Sequence, residues 1–330
     1  MMKVSDVCKL RQISVIDEST PIIVPSFSSR GFPFIGNIHS DTKRYLSKAS
    51  LVSAFDIYYS SIFEDEIYAS DVLFIDSGGY EAKPVPDFAE AYIDERSSRG
   101  WSRDNYEDVV GRLQPLSQLV IVNYDYADPQ PIKVQVSFAE ELFQKFPNYA
   151  TNFLYKPEAK GTSLIGVDSL INNISLINSF SILGITEKEL GNSLFDRCRN
   201  LLQIRIALLN AGVETPIHIF GCLDPSVMIA YFLCGADIFD GLAWLRYTIE
   251  NGLVAYHSTA TLLRQEWSIT EDDLLITRWV SNLEYLENLA RGMKRFCRTG
   301  LISEFPINQN LIMKVLSLIK LLGVEVDGES

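Results

Sequence analysis

A (β/α)8 barrel with a helical C-terminal portion is the fold class that this sequence predicts, and three observations predict it. Short apolar runs rich in β-branched and aromatic residues recur along the chain, with helix-like stretches after most of them. These runs are continuously apolar instead of alternating, as strands covered on both faces are. The 330 residues can bury a large core, and no linker, repeat or low-complexity tract divides them. An open doubly wound sheet is compatible with the same alternation, because strand and helix order alone does not decide closure.

In chain order, the predicted strands begin with Ile22–Phe27 (IIVPSF), Val72–Ser77 (VLFIDS) and Leu119–Asp125 (LVIVNYD). A helix is expected over Ser137–Phe146, then strands over Asn152–Lys156 (NFLYK) and Ser181–Thr186 (SILGIT). Ser193–Ala211 has apolar residues near helical spacing and a glycine stop at Gly212. Ile217–Gly221 (IHIFG), a short helix over Pro225–Leu233, and Ala236–Asp240 (ADIFD) follow, and Leu253–His257 (LVAYH) supplies a weaker eighth strand. Ser268 with Glu271 resembles a capping box, and helices are expected over Asn282–Phe296 and Leu311–Leu322. These spacings suit crossover units rather than hairpins. The expected division is a barrel core over residues 1–260 and a helical portion over 261–330 packed on it.

Composition narrows the class. Apolar residues at 47% and charged residues at 22% fit a soluble globular protein. The start, MMKVSDVCKL, lacks the pattern of a signal peptide, and no 18-residue apolar run exists to span a membrane. Cys8, Cys198, Cys222, Cys234 and Cys297 are scattered without a CxxC pair, and only three histidines are present. A disulfide framework or Cys-rich zinc site is not expected, and a reducing cytoplasm is. The net charge of −13 disfavours a non-specific nucleic-acid coat protein but permits a local basic patch. Arg291, Lys294, Arg295 and Arg298 form one such concentration, and Arg96, Arg99 and Arg103 form another.

The carboxylates at strand ends carry the chemistry. Asp76 closes an apolar run and leads into Ser77-Gly78-Gly79-Tyr80, Asp125 closes VIVNYD, and Asp240 closes ADIFD. In a barrel, residues at the C-terminal ends of strands converge on one rim, where active sites are built. Three such acids suit Mg²⁺ or Mn²⁺ binding, simple helix capping, or work at a glycosidic carbon. In the last case one carboxylate attacks, another handles the leaving-group proton, and a third accepts hydrogen bonds from a purine-like base. Tyr80 and Phe220 could sandwich that base, whereas His218, in mid-strand, reads as an interior histidine.

Several blocks in order resemble the tRNA-guanine transglycosylase superfamily, whose members exchange a guanine for a 7-deazaguanine base. Thr20-Pro21-Ile22-Ile23-Val24-Pro25 resembles its opening strand, and Asp76-Ser77-Gly78-Gly79-Tyr80 its DSGG-aromatic block. Gly235-Ala236-Asp237-Ile238-Phe239-Asp240 resembles its GxDxFD block, with Asn251-Gly252 and Asn282-Leu283 as weaker landmarks. The resemblance implies that Asp240 is the nucleophile at the ribose C1′ and Asp76 the general acid/base. It implies that Asp125 and Ser77 read the heterocycle, with Gly78, Gly79, Gly184 and Gly221 around the pocket. Tyr80 and Phe220 would stack on the base, Glu189 would meet its 7-substituent, and Arg246 would lie near the nucleic-acid backbone. No metal and no cofactor are implied.

Departures point to a divergent member. Glu81 follows Tyr80 where a glutamine is usual, and Glu250 stands where an arginine is expected. The strand over Asn152–Lys156 lacks the family's GIVQG, leaving Lys156 and Glu158 as candidates to contact the purine carbonyl. The zinc element CxCxxC…H is absent: residues 252–281 hold no cysteine, and Ser281 precedes Asn282-Leu283 where a histidine would stand. The expected partners are therefore a free 7-deazaguanine base such as preQ0 and a nucleic acid, with DNA favoured over tRNA. The basic residues from Arg291 to Arg298 would contact that polymer, and an accessory protein or a second copy could assist. A tRNA enzyme, an N-glycoside hydrolase releasing the base, and a non-catalytic subunit that binds nucleic acid are the alternatives.

Overall fold

The computed structural model describes residues 2–82 and 99–325. Eight parallel strands close into a barrel, and helices surround it. The strands are β1 (Ile22–Phe27), β2 (Ala49–Ser53), β3 (Val72–Asp76), β4 (Gln118–Val122), β5 (Ala150–Tyr155), β6 (Ile182–Thr186), β7 (Ile217–Phe220) and β8 (Ile238–Gly241). Closure is made by β1 on β8, with Ile22 opposite Ile238 and Val24 opposite Asp240.

One barrel strand differs from the sequence reading. β2, with the sequence ASLVS, contains two serines in five residues, so it presents no continuous apolar run. The predicted strand over Leu253–His257 is instead Leu253–Ala255, paired antiparallel with Thr248–Glu250 outside the barrel. Asn251 and Gly252, with φ of 49° and 90°, form the tight turn of that hairpin.

Period-two alternation divides the core into two layers. Ile22, Val24, Leu51, Phe74, Val120 and Ile238 fill the barrel interior, whereas Ile23, Val52, Ile75, Ile121 and Phe239 pack outward under the helices. The helix Leu194–Asn210 is capped by Ser193, which accepts from the Asp196 N–H, and Pro225–Leu233 is capped by Asp224. The long helix Glu271–Thr299 is a single element that packs along β1, and its cap is Thr270, not Ser268. Asn282, fully buried on that helix, accepts from the Ile249 N–H at 2.8 Å and donates to the carbonyls of Trp244 and Tyr247 at 2.8 and 2.6 Å. One side chain thus ties the hairpin and the end of the barrel to the helical portion. The helix Gln309–Leu321 packs on Pro225–Leu233, and Val324–Glu325 pairs with Met2–Lys3. Among the described residues, no helix is long and apolar enough to cross a membrane.

Candidate active site

The same alternation builds the site. Continuing the inward series one step beyond Val24, Leu51, Phe74 and Ile238 reaches Ser26, Ser53, Asp76 and Asp240, at or next to the C-terminal ends of their strands. A cavity of about 420 Å³ opens there, within the range of small-ligand sites. Its walls include Asp76, Ser77, Tyr80, Asp125, Lys156, Glu189, Phe220, Gly221, Asp240 and Arg246, so ten sequence-derived candidates share one chamber.

Asp240 is held firmly. Its Oδ2 accepts from Ser26 Oγ at 2.8 Å, and its Oδ1 accepts from the Gly221 N–H at 3.0 Å. Gly221 has φ of 79°, a conformation suited to glycine, and this turn presents its N–H to the carboxylate. His218 Nε2 stands 3.2 Å from Oδ1, close enough to act electrostatically though not aligned as a hydrogen bond. Asn152 contacts the other ring nitrogen at 2.8 Å, which fixes the imidazole in the barrel interior. His218 is therefore interior, as its place in the strand implies, but it also abuts the carboxylate at the site.

Asp76 has a different environment. Its carboxyl borders the cavity and accepts one long bond, from the Gly78 N–H at 3.3 Å. Withdrawal from solvent, then the nearby charges of Glu81 and Asp240, push its pKa up to about 7. The two following glycines answer to separate constraints. A Cβ on Gly78, whose φ is 80°, would lie 2.8 Å from the Trp101 ring and 2.9 Å from Phe55 Cβ. A Cβ on Gly79 would lie 2.8 Å from Asp125 Cβ, so this glycine lets the backbone pass against Asp125. Ser77 is anchored through its carbonyl, which accepts from Trp101 Nε1 at 2.9 Å.

Farther round the rim, after β4, β5 and β6, Lys156 joins two acids. Its Nζ lies 2.5 Å from Glu189 Oε1 and 3.8 Å from Asp125 Oδ2. Burial opposes the ammonium charge, but Asp125 and Glu189 outweigh it and raise the pKa of Lys156. Glu189 keeps its second oxygen buried and without a hydrogen-bond partner. Of the two residues left open by the sequence, Lys156 lines the cavity. Glu158 accepts from the Ile132 N–H at 2.9 Å and from the Tyr155 hydroxyl, away from the chamber. Phe220 stacks on His218 with ring centroids 3.9 Å apart. Gly184 lies beneath it rather than in the wall, and a Cβ there would come within 2.7 Å of Phe220 Cε2. The Tyr80 ring carries the Arg30 guanidinium at 4.6 Å.

The basic candidates separate. Arg246 lines the cavity, 5.6 Å from the Phe32 ring centroid, with its Nη2 buried and without a hydrogen-bond partner. Arg291 and Lys294 instead line a cleft with Pro21, Ile22 and Ala49, at the beginnings of β1 and β2. Lys294 pairs with Glu18 at 2.8 Å, and Arg295, one turn from Arg298, pairs with Glu304 at 2.6 Å. This concentration thus sits toward the barrel end opposite the carboxylates. Of the other one, Arg96 lies outside the described residues, and Arg103 is engaged by Glu107 and Glu141 at 2.7 and 2.9 Å.

Site residues not singled out from the sequence are Ser26, Ser28, Ser53 and Glu81. Ser26 and Ser28 continue the inward count of β1 from Val24, whereas Ser53 belongs to β2, which has no apolar signature. Glu81 was visible only as a departure from the family's glutamine. Among the described residues, no three acidic, histidine or cysteine side chains converge as a metal site. No family model and no curated protein matches the chain.

Proposed function

We propose that this barrel is a base-exchange transglycosylase acting on guanine in a polynucleotide. One observation carries the reading: Asp76 and Asp240 face the same cavity from strand ends but in unlike environments. Carboxyls so divided suit an acid and a nucleophile at one glycosidic carbon. Asp240, oriented by Ser26 and Gly221, forms the bond to the sugar C1′ as the C1′–N bond breaks. Asp76 gives its proton to the departing ring nitrogen. In the second half the incoming base loses its ring N–H proton to Asp76, its nitrogen bonds to C1′, and Asp240 is released. The order of motifs resembling the transglycosylase superfamily supports this assignment of roles.

The incoming base in this reading is a 7-deazaguanine such as preQ0, with Asp125 and Ser77 at its hydrogen-bonding edge and Phe220 and Tyr80 at its faces. Lys156, in place of the usual glutamine, supplies the donor for a carbonyl oxygen. DNA is the favoured polymer because Glu250, engaged by Arg264, stands where a tRNA-contacting arginine is expected. The test is denaturing capture of a covalent adduct with guanine-containing oligonucleotides, with labelled preQ0 incorporation into duplex DNA, single strands and tRNA in parallel. The expected result is an adduct lost in Asp240→Asn and incorporation into DNA. Base release without incorporation would favour hydrolysis, and binding without either would leave a non-catalytic subunit.

A further inference from the structure

We infer that Glu81 is a positioning residue that determines how firmly Asp76 keeps the proton it delivers, an inference that rests on the transglycosylase reading. The turn Gly79–Ala82 directs the Glu81 side chain inward, where it is buried and borders the same cavity as Asp76. Two hydroxyls hold its carboxyl: Ser28 Oγ donates to Oε1, and Ser53 Oγ donates to Oε2 at 2.7 Å. Neither contact supplies a positive charge. Asp56 faces it from the helix Ala54–Tyr58, itself accepting from the Ser29 N–H at 2.7 Å. Asp76 faces it from β3, and Asp240 and Asp125 border the same chamber. Of the nearby cations, Arg30 donates to the Tyr80 carbonyl and covers its ring, Lys156 serves Glu189 and Asp125, and Arg246, beside the Phe32 ring, and Lys188 also border the cavity.

Carboxyls packed this way do not all ionise together at neutral pH. Burial and the charge of Asp56 push Glu81 up to about 7, alongside Asp76. Whenever Glu81 is charged, it opposes loss of the Asp76 proton, so Asp76 remains an acid at a pH where an ordinary aspartate has ionised. Glu81 makes and breaks no bond to substrate. A glutamine would keep the shape and one acceptor but carry no charge, so Asp76 would release its proton at lower pH.

The experiment follows the Asp76 carboxyl by ¹³C NMR of aspartate-labelled protein, assigned with Asp76→Asn, together with the pH profile of adduct formation. Glu81→Gln is expected to lower the Asp76 midpoint by about one pH unit or more and to move the alkaline limb of the profile with it. Glu81→Asp should restore most of the shift. Should Glu81→Gln not fold by far-UV circular dichroism, Ser53→Ala tests the same link. Loss of that hydroxyl makes Glu81 harder to ionise, so the Asp76 midpoint again falls. An unmoved midpoint in a folded variant overturns the inference. A shifted midpoint with no adduct from any polynucleotide upholds Glu81's hold on Asp76 and sinks the base-exchange reading instead.

Discussion

Burial and the neighbouring charges of Glu81 and Asp240 hold the Asp76 carboxyl at about 7, against 3.8 for an ordinary aspartate. The native state therefore binds this proton more tightly than the unfolded chain does. Its contribution to stability is full below about 3.8 and is lost as pH rises toward about 7. Asp76→Asn removes that loss. At pH 8 the variant should be more stable than the parent by about 1–2 kcal/mol, a figure reduced because the carboxyl borders the cavity. Near pH 4 the two should nearly coincide, and urea denaturation at both pH values decides it. An equal difference at the two would mean that the native state binds the Asp76 proton no more tightly than the unfolded chain does. Gly79 supports a second residue-scale prediction, because its missing Cβ leaves room for Asp125. Gly79→Ala should displace Asp125 and lower kcat/KM for base exchange by roughly 10–100-fold, chiefly through KM for the incoming base. A KM within twofold of the parent would remove Asp125 from base recognition. Both aspartates were legible as strand-end acids. What surrounds them was not, because Glu81 and Ser53 reach the site only through folding.

At the scale of the element, β8 shows how one sequence block can divide between two duties. Gly235-Ala236-Asp237-Ile238-Phe239-Asp240 reads as a single motif, yet its two acids serve different ends of the strand. Asp240 belongs to the cavity. Asp237 lies buried before the strand begins and accepts from Arg11 Nη1 at 2.7 Å, from Arg205 Nη2, and from the Ile217 N–H at 2.8 Å. It thereby joins the N-terminal segment, the helix Leu194–Asn210 and β7. Gly235 completes the arrangement, since a Cβ there would lie 2.4 Å from Arg205 Cγ. Asp237→Ala would strand two buried guanidiniums and should cost about 3–5 kcal/mol in chemical denaturation. A cost below about 1 kcal/mol would show that Glu214, which also meets Arg11, or water replaces it. The strand and its acids were readable from spacing; the split was not, because the partners of Asp237 lie 226 and 32 residues away. β2 escaped for the converse reason. Its inward Ser53 serves the site, Ser50 on the other face meets Ser70 Oγ at 2.8 Å, and together the two serines erase the apolar signature of a strand.

For the whole molecule, barrel closure sets which charges can meet one ligand. A linear reading groups Arg291, Lys294, Arg295 and Arg298 as a polyanion contact, since no acid interrupts them. Folding supplies the acids from elsewhere, Glu18 to Lys294 and Glu304 to Arg295. It also carries the group toward the beginnings of the strands, whereas Arg246 borders the cavity beside the strand ends. Strands of four to six residues, at about 3.3 Å per residue, separate the two faces by roughly 13–20 Å. A polynucleotide seated with its sugar against Asp240 therefore meets Arg246 well before it meets the basic helix end. Each phosphate contact contributes about one unit to the slope of log affinity against log salt. Arg246→Ala should weaken oligonucleotide binding and reduce that slope by about one. Replacing Arg291, Lys294, Arg295 and Arg298 together by serine should leave the slope within error of the parent. Fluorescence anisotropy across a salt series separates these outcomes. If the fourfold variant lost several units of slope while Arg246→Ala lost none, the polymer would have to wrap the far end of the barrel, and docking at the cavity mouth would be untenable.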